Sequence, residues 1–452
     1  MTAPAQFPQP TPPRSGIGPG GLIGIIAGSG LALIAVTAIV FQSILPPVID
    51  VEATPDWMTG GDGGTYATEQ LYLELNEALA AGDRDAFLEH VSGDAAATME
   101  LYFDNMDALG WTKCAITSTD TENLLTTPED GVTVRSILGV DAGFTASAPR
   151  GSGDADAGLT FVQGFPYDVS VGMDGDEAVI TDISAAGTTL PWLEEELYVV
   201  RTEHSVVAGY PAESALVDQV SAIAEPAAAW VLTNLDTADY PLPLAGFTVF
   251  ASNEESDFSS WFTTDALADW KMEIAGTAFP TFRPDSMAGV DPLIATGSST
   301  STGVVTVGPL AMDELGGTLA HEFVHVSHLV QVPSGFGDPP IATIEGWAKY
   351  METLYVNGGN YPAGYARLAQ SVAYADPSGA VPTDEQLRGA DAAYYYELAA
   401  SRYAYAAANG YDAQKLANFS KLTGLEPLEA ASDLNNGTTL TDAGWLAWAQ
   451  AN

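Results

Sequence analysis

Apolar and polar positions change period several times along this chain. From Gly16 to Ile49 there is no charged residue. The stretch Leu22 to Leu45, LIGIIAGSGLALIAVTAIVFQSIL, is long enough at about 1.5 Å per residue to cross a hydrocarbon core of about 30 Å. We read a transmembrane helix over 16–45. It is retained rather than cleaved, because the apolar run exceeds that of a signal peptide and no small-x-small site follows it. Arg14 precedes the helix and the next basic residue is Lys or Arg only at Arg84, which predicts a cytoplasmic N-terminus and an extracellular remainder. The Pro-rich head, 1–15, is then a cytoplasmic tail, and 46–66, with TPDWMTGGDGGT, a Gly-rich linker.

Beyond the linker the period becomes helical. Leu71, Leu75, Ala78 and Leu79 share one face, Gly82-Asp83 breaks it, and Ala86, Phe87 and Val91 resume it. The period then shortens to that of strands in GVTVRSILGVDAGFTA, GLTFVQGFPYDVSVGMDGDEAVITDIS and EELYVVRTEHSVVAG, with Asp174-Gly175 as a hairpin turn. Helices followed by an antiparallel sheet make residues 67–210 an α+β unit, and in that layout they resemble a cystatin-like cone of the nuclear-transport-factor-two type. Asp174, Asp176 and Glu177 are read as turn chemistry rather than a calcium loop.

From 211 a helix, ESALVDQVSAIAEPAAAWVLTNL, leads to a strand, LAGFTVFAS, then to DFSSWF, then to a further strand, Thr302 to Leu310, which we expect at the sheet edge. Leu315, Leu319, Phe323 and Val330 predict a buried helix over Met312 to Val330, and helices fill the rest.

Charge narrows the partners. With 14 basic against 59 acidic side chains the net charge is -45, which argues against nucleic acid and anionic lipid surfaces. Cys114 is the single cysteine, so no intrachain disulfide forms.

The chemistry concentrates in LAHEFVHVSH, which holds three of the five histidines. His321, Glu322 and His325 spell H-E-x-x-H. Residues four apart on a helix lie about 40° and 6 Å from one another, so two imidazoles can converge on one ion. Glu322 stands about 100° round from His321, beside such an ion rather than on it, where a general base belongs. A catalytic zinc usually keeps three protein ligands and one open position. His328 is too far along the axis, since it would have to reach back roughly 7 Å to bonds of only about 2 Å. Downstream, IATIEGWAKYME carries Glu345 on a second helix after a loop rich in proline and glycine. His90 and His204 are read as ordinary structural or surface histidines.

His321-Glu322-x-x-His325, a loop, and Glu345-Gly346-Trp347-Ala348-x-Tyr350 resemble the gluzincin zinc peptidases, most closely the peptidase MA-like group, across about 240 to 452. The whole layout resembles membrane-anchored actinobacterial proteins in which a cystatin-like domain precedes such a peptidase. The resemblance implies that His321, His325 and Glu345 bind Zn2+ and that Glu322 is the base. It also implies a tyrosine at the oxyanion, for which Tyr394, Tyr395 and Tyr396 are candidates and Tyr396 the choice. One position departs from the pattern: thermolysin-like enzymes carry an acid four residues after the third ligand to orient a histidine, whereas this chain has Lys349. The orienting group must come from elsewhere.

The expectation is therefore an α+β protein with an N-terminal transmembrane helix, a cystatin-like domain over 67–210 and a thermolysin-like gluzincin domain over 211–452 with a mainly helical C-terminal part. It is expected to act as a cell-membrane, single-pass metallopeptidase on extracellular peptide or protein substrates. The rivals are a non-catalytic binding protein with a structural zinc, against which Glu322 counts, and a zinc hydrolase of a non-peptide bond.

Overall fold

The computed structural model describes residues 67–110, 113–118, 132–141, 161–175, 177–242, 244–263, 275–280, 300–301, 303–332, 339–375, 377–434 and 440–452. The tail, membrane helix and linker expected over 1–66 lie outside them. The described chain is a mixed α+β structure with two sheets.

Its opening follows the apolar stripe. Helix α1 (Ala67–Ala81) buries Leu71, Leu75, Ala78 and Leu79. The chain turns at Gly82, whose φ of 65° is in the region that favours glycine. Asp83 then caps α2 (Arg84–Glu89) by accepting from the Ala86 N–H. After α3 (Ala95–Ala108) come four antiparallel strands in sequential order, β1 (Lys113–Ser118), β2 (Val132–Asp141), β3 (Phe161–Asp174) and β4 (Glu177–Ala185). Asp174 pairs with Glu177 across the β3–β4 turn, and Gly175 has a φ of 67°, as a two-residue hairpin requires. Asp176 lies outside the described residues.

The next strands correct an expectation. A short helix, α4 (Pro191–Glu194), leads to β5 (Tyr198–Arg201) and β6 (Ser205–Gly209), expected to complete the first sheet. They open the second instead. Its order is β5, β6, β7 (Phe247–Ala251), β10 (Gly303–Val307), β8 (Gly276–Pro280), with β6, β7 and β10 parallel to one another and β8 antiparallel to β10. A short β9 (Thr300–Ser301) runs parallel to the start of β3. The expected edge strand, Thr302 to Leu310, is thus interior as β10; among the described residues β8 is the edge beside it.

Both faces of this sheet are buried, which is why β6, β7 and β10 read as nearly continuous apolar runs. Val206, Ala208, Phe250, Phe279 and Val304 join the core of the first unit, with Trp192 between the layers, its ring centroid 4.7 Å from Phe165 and 5.5 Å from Phe250. Val207, Val249, Ala251, Val305 and Val307 face the helices. Asn105 pins the connector: its side chain donates to the carbonyls of Trp192 and Glu195 and accepts from the Leu197 N–H.

On the helical side lies α5 (Ser214–Leu235), followed in the chain by the short α6 (Glu255–Ser260). The stretch Pro211–Leu235 is, among the described residues, the one helical segment long and apolar enough to cross a membrane. Here Val217, Val220, Ala224, Ala228 and Val231, at helical spacing, are buried in the protein core. Next to it runs α7 (Leu315–Gln331), preceded by a 3-10 turn over Pro309–Asp313, so the helix begins at Leu315 rather than Met312. Phe323 stacks on Phe247 at 4.2 Å and 13°, seating α7 on the sheet. The remaining helices are α8 (Ile341–Val356), α9 (Ala366–Ala375), α10 (Asp384–Leu387), α11 (Ala392–Ala408), α12 (Ala413–Thr423), α13 (Pro427–Leu434) and α14 (Asp442–Ala451).

Candidate metal centre

Helix α7 is buried nearly all round, from Leu315 to Val330, because it lies between the sheet and α8. Gly317 near its start allows α8 to come close: a Cβ there would meet Val356 at 3.3 Å and Glu352 at 3.4 Å. Gly317 against Val356, His321 against Glu352 and His325 against Glu345 show the two helices running antiparallel. A second close approach places α8 against α11, where a Cβ on Gly346 would lie 2.9 Å from the Ala399 carbonyl carbon and 3.0 Å from its oxygen.

This packing brings three potential ligands together. His321 Nε2 and His325 Nε2 are 3.0 Å apart, and Glu345 Oε2 is 3.2 Å from each. Bonds of about 2.0–2.1 Å to a tetrahedral ion require donor atoms about 3.3 Å apart, so the triangle is close to the size such an ion needs. All three residues are buried and form a group that could hold a metal ion.

The electrostatics favour a cation. Glu322, Glu345, Glu352 and Glu397 are buried with a single ammonium, Lys349, among them. Fully ionised, that set would leave three negative charges in a dry interior, which a divalent cation would largely offset. Burial lifts the Glu322 and Glu397 carboxyls above the usual range. Burial alone would lower His321, but the hydrogen bonds to Glu345 and Glu352 win and raise it to about 9. Burial also works against ionised Glu345 and Glu352, yet Glu345 is lowered by His325 and His321, and Glu352 falls to about 2 beside Lys349 and His321.

Glu322 stands where the sequence puts it, off the ligand triangle. Its Oε2 has no hydrogen-bond partner among the described residues, and the backbone of edge residue Ala278 bonds to the carboxylate. Neighbouring Gly276 keeps β8 close, since a Cβ there would meet Glu322 Cγ at 3.3 Å. Of the three tyrosines, Tyr396 is buried with its ring centroid 6.2 Å from that of His321. Tyr394 instead stacks on the exposed Tyr374 at 4.1 Å, and Tyr395 is only partly buried, against hydrophobic clusters.

His328 takes no part in the triangle. It is buried against the backbone of Ala417, and burial drives its pKa well down. Its carbonyl accepts from Lys421 Nζ at 2.9 Å. A surface group, Glu203, His204 and Glu225, also brings three potential ligands together, but it is satisfied internally: His204 Nδ1 lies 2.6 Å from Glu225 Oε1, and the His204 N–H donates to Glu225 Oε2, tying the β5–β6 turn to α5. His90 Nδ1 lies 3.5 Å from Glu74.

The carboxylate that reaches the other ring nitrogen of His321 is that of Glu352, with Oε2 3.1 Å from Nδ1. Sequence reading passed over it, although seven residues beyond Glu345 is about 20° away on the same helix face. Compared with known proteins, the chain matches no family model, and no curated protein matches it.

Proposed function

We propose that this chain is a zinc metallopeptidase of the gluzincin type, anchored by its N-terminal helix and facing outward. The observation that carries the reading is the buried triangle of His321, His325 and Glu345 with the Glu322 carboxylate beside it. A structural metal would need the triangle but not a buried, partly unpartnered carboxylate next to it, which favours catalysis over mere binding.

Zinc, when bound, would supply a Lewis acid that brings a coordinated water toward a pKa of about 7. Glu322 takes the proton from the attacking water and returns it to the leaving amine, a role suited to a carboxyl raised by burial. Tyr396, whose ring lies beside that of His321, would stabilise the oxyanion. β8, which touches Glu322 through Ala278, is the strand along which an extended peptide would pair. The cystatin-like unit would serve as spacer or partner-binding module.

The test is metal analysis and peptide-library cleavage by full-length protein in mild detergent, alongside Glu322→Gln. The variant should hold one zinc per chain and lose hydrolysis, because an amide cannot accept the proton. Near-wild-type turnover by the variant would sink the mechanism. For topology, protease added to intact cells should remove an epitope at Asn452 and spare one at Met1; protection of both would defeat the outward orientation.

A further inference from the structure

Resting on the metallopeptidase reading, we propose that the first unit, 67–210, controls the site through a strained joint at Phe262. The joint ties the core of that unit to two sides of the candidate centre, β8 beside Glu322 and the apolar cluster around Tyr396. A change in how the unit sits is therefore felt as a change in turnover.

Among the described residues Phe262 is the one residue other than glycine with a positive φ, 59°. For a bulky side chain this region is costly, and a residue stays there only when its surroundings fix it from several sides. Here they do. The Phe262 N–H donates to the Thr189 carbonyl at 2.9 Å, and Trp261 forms a parallel bridge with Thr189 as well. The Phe262 ring lies 5.6 Å from Trp192 and 5.9 Å from Phe165 of β3, both in the core of the first unit. Trp261 meets Tyr210 edge to face at 5.3 Å and is hydrogen-bonded to it. All of these partners belong to the first unit. From the joint two routes lead to the site. On one, the Phe262 ring is 5.8 Å from Phe279 of β8, next to Ala278, whose backbone bonds to the Glu322 carboxylate. On the other, Phe258 lies about one turn earlier, on α6, wedged against Gly308, where a Cβ would be 2.6 Å from its ring. Phe258 shares its apolar cluster with Ile341, Ala342, Tyr396 and Ala399. Packing alone does not call for a positive φ, since an aromatic ring can fill a core from relaxed backbone. A φ above zero redirects the chain within one residue, so relaxation of Phe262 to a negative φ would turn α6 and carry Phe258 with it. Trp192 sets the balance between the two arrangements: it packs on the Phe262 ring, and its indole Nε1 donates to Tyr167 Oη at 2.9 Å, inside the first unit.

The test perturbs the first unit and reads the site. Tyr167→Phe removes the acceptor of the Trp192 indole and alters no group of the centre. In full-length protein in mild detergent, on a peptide taken from the library, kcat should fall about 2–30-fold with one zinc retained. In a Phe262→Gly background the backbone is free of strain and the ring is gone, so the same change should leave kcat where the background sets it. An unchanged kcat in Tyr167→Phe, or the same fold-loss in both backgrounds, would overturn the proposal. A second measurement needs neither variants nor turnover. Hydrogen exchange of the wild type in low urea should show the Phe262 and Leu193 amides and those of β8 opening together, with one dependence on urea, apart from α7. Separate opening of Phe262 and β8 would refute the joint by itself, including where the variants do not fold. A wild type without hydrolysis would defeat the metallopeptidase reading, and the exchange result alone would then decide whether the joint exists. A hydrolysing wild type indifferent to Tyr167→Phe would defeat only the control by the first unit.

Discussion

Replacing Gly346 by alanine tests how α8 is held. In an exposed helix interior this change stabilises by roughly 1 kcal/mol, since alanine is the better helix former. Here the added methyl would sit 2.9 Å from the Ala399 carbonyl carbon and 3.0 Å from the oxygen, against ordinary contacts that begin near 3.4 Å. The obstacle is helix backbone, which cannot rotate aside, so α8 and α11 must separate by about 0.5 Å, with an overpacking cost of about 1–3 kcal/mol. Net of helix propensity, Gly346→Ala should lose about 0–2 kcal/mol instead of gaining roughly 1 kcal/mol. Glu345 is the adjacent residue, and metal sites tolerate only about 0.2 Å in ligand distance, so zinc affinity should fall by about tenfold or more. Gly316→Ala is the control: it also lies in a helix, but its nearest neighbours are Ile223 and Tyr355 at 3.5 Å, an ordinary contact. It should be neutral or stabilising by up to about 1 kcal/mol. Urea unfolding followed by tryptophan fluorescence, with a zinc titration of each variant, separates the cases. A stabilised Gly346→Ala with unchanged zinc binding would mean that the α8–α11 contact does not hold the site.

Glu345→Ala should lower zinc content and abolish hydrolysis while His328→Ala leaves stoichiometry at one; metal analysis showing the reverse would refute the ligand assignment. Tyr396→Phe should reduce kcat about 10²-fold with zinc retained, and an unaltered kcat would remove it from the oxyanion role. Burial lowers the Lys421 pKa to about 7 from 10.5, so between those values the unfolded chain binds more protons and stability should rise with pH. Lys421→Met should be more stable than wild type by a few kcal/mol, roughly, at pH 7, with the gain fading toward pH 10.5. A gain that does not change between pH 7 and pH 10 would contradict the linkage.

Much of the site was legible because helix geometry is local. The spacing of His321, Glu322 and His325 dictates their relative directions whatever surrounds them, and the apolar stripe of α7 identified the face that meets the sheet. The α1 stripe, the break at Gly82-Asp83 and the Asp174-Gly175 turn were readable for the same reason: each is set by residues within a few positions of one another. Sheet membership is not local. β5 and β6 carry strand periodicity but no mark of which sheet they join, and β10 reads like any strand buried on both faces, so only packing showed that it is interior and that β8 is the edge. The carboxylate beside His321 was hidden for a related reason. Glu352 becomes a partner of His321 because Gly317 lets α8 run antiparallel to α7 at close range, and Lys349 is buried between Glu352 on its own helix and Glu397 on α11. Tyr396 is likewise distinguished from its two neighbours by the azimuth at which α11 meets the site, a consequence of the Gly346–Ala399 contact. The sequence by itself determined which groups can act within one helix; the tertiary structure decided which groups meet between helices, because those distances depend on how closely two backbones can approach.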